Sequence, residues 1–334
     1  MSGSAALSEA PHTSGLSPPR GPRADTLHPG KYSVPRSCQS WGHRVGQPSE
    51  PTLVRKIVTS PIPEPSGPPT IESLDQTQPR VIVVGALKGG TGKTRLAMLI
   101  ALFLAVILGR RVVVFDADSA SQTASKWPEK AQMRGYARWP FEIIRFPFAE
   151  LDKEIDKVRA RGNVDDIVVD VGGGQIDCFL AAVRRVNILL VPLCPDEGDT
   201  EQAPQTRQAV LMGAALNNTG KPLSMNFVLS RCENSNDRVD ARERLLNSDQ
   251  EGGAYPLLDT EIPDLVAYKR TYGRIPGPAT IWEDKATTAS DKDRPRWKDL
   301  VNFIPLLVES DIITREEALG TGLIIERQLE KVSL

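Results

Sequence analysis

From residue 81 onward, short apolar runs alternate with longer mixed stretches. Val81–Val84, Arg111–Phe115, Phe141–Phe146, Asp166–Val169, Asn187–Val191 and Met225–Leu229 are each dominated by Val, Ile, Leu or Phe. Such continuous runs, four to six residues long, mark strands buried on both faces. Between them, residues 93–108, 149–161, 176–185, 201–214 and 238–247 have helical character. Strand–helix alternation of this kind predicts an α/β fold: a doubly wound, mainly parallel sheet with helices on both faces. Ligands of such sheets sit beyond the carboxyl ends of the strands. After about residue 255 the pattern loosens, with a short helix expected over Ile262–Gly273 and a closing helix over Arg296–Val308.

The first 80 residues read differently. They hold 14 of the 27 prolines and all three histidines, with few large apolar residues. Pro18-Pro19, Pro68-Pro69 and Ile62-Pro63-Glu64-Pro65 oppose both helix and central strand. The expected organisation is a disordered Pro/Ser/Gly-rich tail over 1–80, a nucleotide-binding domain over 81–308 and a charged C-terminal extension over 309–334. Net charge is −1, so bulk charge argues neither for nor against a nucleic-acid partner. The four cysteines, Cys38, Cys178, Cys194 and Cys232, form no C-x-x-C, as expected of a reduced, cytoplasmic protein. The long apolar run Leu96–Leu108 is too short to span a bilayer. Residues 81–334 contain no histidine, which argues against His-dependent acyl transfer and a His-ligated zinc site there.

Three motifs carry the chemistry. Directly after the first strand comes Lys88-Gly89-Gly90-Thr91-Gly92-Lys93-Thr94. Its glycines let backbone N–H groups approach phosphate oxygens, and the helix that follows adds its positive end. Lys93 is placed to reach β- and γ-phosphates, and the Thr94 hydroxyl to hold Mg²⁺. Lys88 is an additional lysine that ordinary P-loops lack. The second motif, Phe115-Asp116-Ala117-Asp118, puts two carboxylates at a strand's carboxyl end. There a carboxylate either orients an attacking water or holds Mg²⁺ through water. The third, Ile167-Val168-Val169-Asp170 followed by Val171-Gly172-Gly173-Gly174, has the Walker B arrangement, with Asp170 facing Mg²⁺. Its glycines suit a loop that moves with the state of the γ-phosphate. Cys194, in Val191-Pro192-Leu193-Cys194-Pro195, reads as a small core residue.

These residues resemble the ParA/MinD family of deviant Walker A P-loop ATPases, and most closely its ParA-like plasmid partition proteins. Val191–Pro195 and Ile262–Gly273 are weaker points of similarity. The resemblance implies ATP and Mg²⁺ as cofactors and weak hydrolysis to ADP and phosphate. Residues 88–94 would bind nucleotide, and Thr94, Asp116 and Asp170 the metal. It further implies a homodimer formed on ATP, with Lys88 reaching the partner's phosphates and Asp118 positioning the hydrolytic water. ParA-type members bind non-specific DNA when dimeric and respond to a centromere-binding partner, which implies a nucleoid-associated protein acting in plasmid or chromosome partition. Departures from the family pattern are Asp118-Ser119-Ala120 in place of D-P-Q, Asp170-Val171-Gly172 in place of D-x-P, and Arg95 in place of a second threonine.

The fold serves other roles as well. A MinD-like membrane-positioning ATPase needs a basic amphipathic C-terminal helix, and in Leu323–Val332 the charges cancel. A plasmid conjugal-transfer ATPase of the same fold is a further alternative. An iron–sulfur carrier needs paired cysteines that are absent. The basic residues Lys269, Arg270 and Arg296, among others between 266 and 298, are candidates for sequence-independent phosphate contacts.

Overall fold

The computed structural model describes residues 78–217, 219–220, 222–247, 255–278 and 292–330. The expected tail therefore lies almost wholly outside the described residues. Seven parallel strands form the sheet: β1 (Arg80–Val84), β2 (Val112–Ala117), β3 (Glu142–Arg145), β4 (Asp166–Val171), β5 (Ile188–Leu193), β6 (Ser224–Cys232) and β7 (Ile262–Pro263). Their order is β3-β2-β4-β1-β5-β6-β7, so β1 is central.

The helices are α1 (Lys93–Leu102), α2 (Trp127–Met133), α3 (Leu151–Arg159), α4 (Ile176–Val183), α5 (Glu197–Thr200), α6 (Ala203–Ala214), α7 (Ser235–Leu246), α8 (Val266–Lys269), α9 (Phe303–Glu309), α10 (Arg315–Gly320) and α11 (Glu326–Leu329). A π-helical turn, Phe103–Ile107, extends α1. Strand parity sorts the two cores. Ile82, Val84, Val114, Val168 and Leu190 face α1 and the C-terminal helices. Val81, Val83, Phe115, Val169 and Val191 face α3, α4 and α6. Both faces are covered, which is why the strands carry no polar alternation.

Three expectations change. Residues 262–273 open with a seventh strand: Ile262 pairs with Ser230 and Pro263 with Cys232 across an irregular register. Two residues, one of them proline, leave no periodic signal, and proline is tolerated at this edge because it need not donate. The closing helix is broken into a 3₁₀ turn, Trp297–Asp299, and α9, because Asn302 takes a left-handed conformation (φ 68°). Finally, residues 309–330 belong to the core. Ile312, Ile313, Ala318 and Leu329 are buried against the α1 side of the sheet. Arg110 joins this segment to the sheet by pairing with both Asp166 and Glu317. Of the charges that made it read as an extension, Asp311, Glu316, Glu326, Arg327 and Glu330 are exposed.

Candidate active site

Register assembles the site. Val84, the last residue of β1, is paired with Asp170 on β4, and Asp170 is paired with Asp116 on β2. In-register residues of a parallel sheet point to the same face, so both carboxylates lie on the α1 side, where α1 opens with Lys93 and Thr94. Gly90 and Gly92 have φ of 84° and 87°, the left-handed region in which a side chain is strained. Gly92 is the N-cap of α1 and bears no side-chain cap, so the first N–H groups of the helix are open to an anion.

Lys93 is buried and bends back over the loop, donating to the Lys88 carbonyl. Burial lowers its pKa against the pull of Asp170, Asp118 and Asp199, so the ammonium is short of solvation. Asp170 is 1% exposed, and neither carboxylate oxygen has a hydrogen-bond partner among the described residues. Burial pushes its pKa up to about 7, with Asp116 adding to the shift while the nearby Thr94 hydroxyl and Lys93 oppose it. A fully buried, unpartnered carboxylate is costly. Beside a threonine hydroxyl and a phosphate cradle, its donor set fits a hard divalent cation.

The other two carboxylates are differently occupied. Asp116 Oδ2 accepts from both the backbone N–H (2.8 Å) and the hydroxyl (2.6 Å) of Ser125. Asp118 accepts from Ala120 N, Ser121 N and the Ser121 hydroxyl. Burial acts to raise the Asp118 pKa, but those hydrogen bonds and Lys93 outweigh it and hold the group below the usual carboxylate range. Asp118 is therefore ionised at neutral pH and half-buried at the mouth of the site. Lys88 turns toward its own chain, with Nζ 3.8 Å from Asp199 Oδ1 and 39% of its side chain exposed.

Several contributors had no motif to reveal them. Ser230, at the end of β6, donates to the Thr91 carbonyl at 2.7 Å. Arg231 donates from Nη1 to the Gly90 carbonyl at 2.9 Å and itself adopts a left-handed backbone (φ 57°). Asp199 accepts from Cys194 N at 2.8 Å and is buried beneath Lys88. The glycines after Asp170 are needed for close approach as well. A Cβ at Gly172 would lie 2.8 Å from the Asp118 side chain, and one at Gly173 would lie 2.8 Å from Gly89 N. Gly174 N donates to Leu87 O at 2.8 Å, tying this loop to the phosphate loop. Burial and Asp199 push the Cys194 thiol up to about 12, so it stays protonated and unreactive.

A cavity of about 1000 Å³ lies over the loop, lined among others by Lys93, Thr94, Arg95, Asp118, Arg231 and Asp264. The candidate DNA contacts are less open. Lys269 pairs with Asp264 at 2.6 Å, Arg270 with Asp293 at 3.8 Å and Arg296 with Asp299 at 3.2 Å. No helix among the described residues is long and apolar enough to cross a membrane.

The family model of the CobQ/CobB/MinD/ParA nucleotide binding domain matches residues 82–275. No curated protein matches the chain. Similar solved structures include a cobyrinic acid a,c-diamide synthase from Mycobacterium smegmatis with bound ADP and magnesium. It is 17% identical, with a TM-score of 0.45 over 56% of this chain and 87% of that one. Apo McdA from Cyanothece is 15% identical, with a TM-score of 0.43 over 58% of this chain and 89% of that one. A plasmid partition protein from Borrelia burgdorferi is 17% identical, with a TM-score of 0.39 over 52% of this chain and 87% of that one. The family match spans more than half of the sequence and takes in all three motifs, so the chain belongs to the family of the CobQ/CobB/MinD/ParA nucleotide binding domain.

Proposed function

We propose that this chain is an ATP-dependent, dimerising switch ATPase of ParA type. The observation that carries the reading is Asp170, a buried carboxylate with no partner, set beside Thr94 and the open N-terminus of α1. Residues 88–94 would cradle the phosphates, with Lys93 at the β/γ end. Thr94 and Asp170 would hold Mg²⁺, with Asp116 as a further support through Oδ1, which accepts from Asp118 N at 3.3 Å. When bound, Mg²⁺ neutralises charge on the phosphates. Asp118 is ionised and pre-oriented by Ser121, which suits it to align a water. Lys88 would leave Asp199 and reach the phosphates of a second copy.

The role that follows is partition or stable maintenance of DNA: the ATP-bound dimer binds DNA without sequence preference, associates with the nucleoid and is stimulated by a centromere-binding partner protein. Support for this finer role is family membership and the shared motifs, since the three named basic residues are already ion-paired. A membrane-positioning role is less well supported. Ile324 and Leu329, the apolar side of the candidate C-terminal helix, are spent on the core. The test is sedimentation of the full chain with ATP, ADP or no nucleotide, followed by binding to unrelated DNA duplexes and to anionic vesicles. ATP-specific dimerisation with salt-sensitive DNA binding supports the proposal. A nucleotide-independent monomer, or vesicle binding without DNA binding, overturns it.

A further inference from the structure

Residues 296–330 sort their charges by place. The segment carries seven carboxylates and four cations. Arg296 pairs with Asp299 at 3.2 Å, and Arg315 pairs with Glu326. The side chains of the other two cations, Lys298 and Arg327, are exposed and have no hydrogen-bond or ion-pair partner among the described residues. Lys298 acts on Asp299 only at longer range, and that carboxylate is taken by Arg296. Both unpaired cations line one groove of about 400 Å³, and none of the seven carboxylates does.

The groove is otherwise apolar. Trp297, Leu300, Ile304 and Ile324 line it and are only 1%, 3%, 5% and 7% exposed. Its neutral polar groups are already used: the Asn302 amide donates to the Glu261 carbonyl at 2.8 Å, and Gln328 Oε1 accepts from Ile325 N at 3.0 Å. Val301, in the lining, is 48% exposed, and Ile325, next to Ile324, is 64% exposed, so the apolar surface continues past the groove. An acidic segment that lines an apolar groove with cations alone is complementary to an anionic occupant with an apolar body. The groove shares no lining residue with the nucleotide cavity and lies beyond residues 82–275, the part matched by the family model.

The shape and chemistry select among anionic occupants. A bilayer is broad and does not reach the buried residues of a groove. Duplex DNA would engage the two cations and leave the apolar floor without a counterpart. A small molecule would leave Val301 and Ile325 in water. A peptide segment covers floor and rim together and brings carboxylates to both cations. We propose that this groove docks a segment of a partner protein that presents apolar side chains flanked by carboxylates. The docking site is independent of the nucleotide site.

Fluorescence anisotropy on the full chain tests it with three labelled synthetic helical peptides: one with a leucine face and a glutamate face, one with lysine for glutamate, and one with serine for leucine. Wild type should bind the Leu/Glu peptide saturably and at least about tenfold more tightly than either of the others, as expected when charge pairs or apolar contact are lost. K298E/R327E should invert the preference, now favouring the Leu/Lys peptide. V301S/I325S should weaken the Leu/Glu peptide at an unchanged melting temperature, since both side chains are exposed. No saturable binding of the Leu/Glu peptide to wild type overturns the proposal. Equal binding of the Leu/Glu and Leu/Lys peptides, or an unchanged preference in K298E/R327E, overturns it too. So does binding of anionic vesicles or duplex DNA that K298E/R327E abolishes while the peptide fails to bind.

Discussion

Asp170→Asn separates the site's cost from its use. In the metal-free protein the Asp170 carboxyl is buried without partners, and its pKa stands at about 7 against an ordinary 3.8. Between these values the folded state holds a proton that the unfolded chain releases. Stability contributed by this group is thus full below pH ~4 and is lost as pH rises through 7. From pH 5 to pH 8 the loss amounts to roughly 3 kcal/mol, from about 1.4 kcal/mol per unit difference in pKa. Asparagine keeps the shape and cannot ionise. Whatever constant offset its amide introduces, the variant should gain roughly 3 kcal/mol on wild type between pH 5 and pH 8. All other titrating groups are common to both and cancel, apart from coupling to Asp116 and Lys93. Urea titrations without Mg²⁺ or nucleotide measure this directly; in thermal scans the same change corresponds to about 6–12 °C. With MgATP the order should reverse, since wild type is stabilised by ligand and the variant lacks the ligating carboxylate. Parallel pH profiles for the two proteins would refute the reasoning, because Asp170 would then be ionised and satisfied at neutral pH.

Further expectations follow from the same geometry. Lys93→Ala should abolish tight nucleotide binding by calorimetry, whereas Lys88→Ala should bind ATP nearly normally yet fail to dimerise and turn over, as read by light scattering and phosphate release. Asp118→Ala should retain ATP binding and slow hydrolysis by about a hundredfold or more, accumulating the nucleotide-bound dimer. Gly173→Ala, whose new Cβ would meet Gly89 N at 2.8 Å, should displace the phosphate loop and cost about 1–3 kcal/mol in urea unfolding, together with a loss of nucleotide affinity. Normal ADP affinity in that variant would show that the two loops separate freely.

Much of this protein is written locally in its sequence. Six strands are legible as short apolar runs, because β1, β2, β4, β5 and the middle of β6 are buried on both faces and the edge strand β3 keeps two half-buried isoleucines. The phosphate loop is legible because φ at Gly90 and Gly92 can be met cheaply only by glycine. Asp116, Asp118 and Asp170 are visible as carboxylates at strand ends, but their division of labour is not. Only the β2–β4 register sets Asp116 beside Asp170, and only packing decides that Ser125 occupies the first while the second stays bare. The same limit hides Ser230 and Arg231, which brace Thr91 and Gly90 from more than 130 residues away. It hides Asp199 beneath Lys88, and the C-terminal helices inside the core. Local sequence determines backbone preference and burial pattern, because those are properties of neighbouring residues. Which polar groups meet across the sheet, and which remain unpaired for a ligand to satisfy, depends on contacts distant in the chain, and only the tertiary structure decides them.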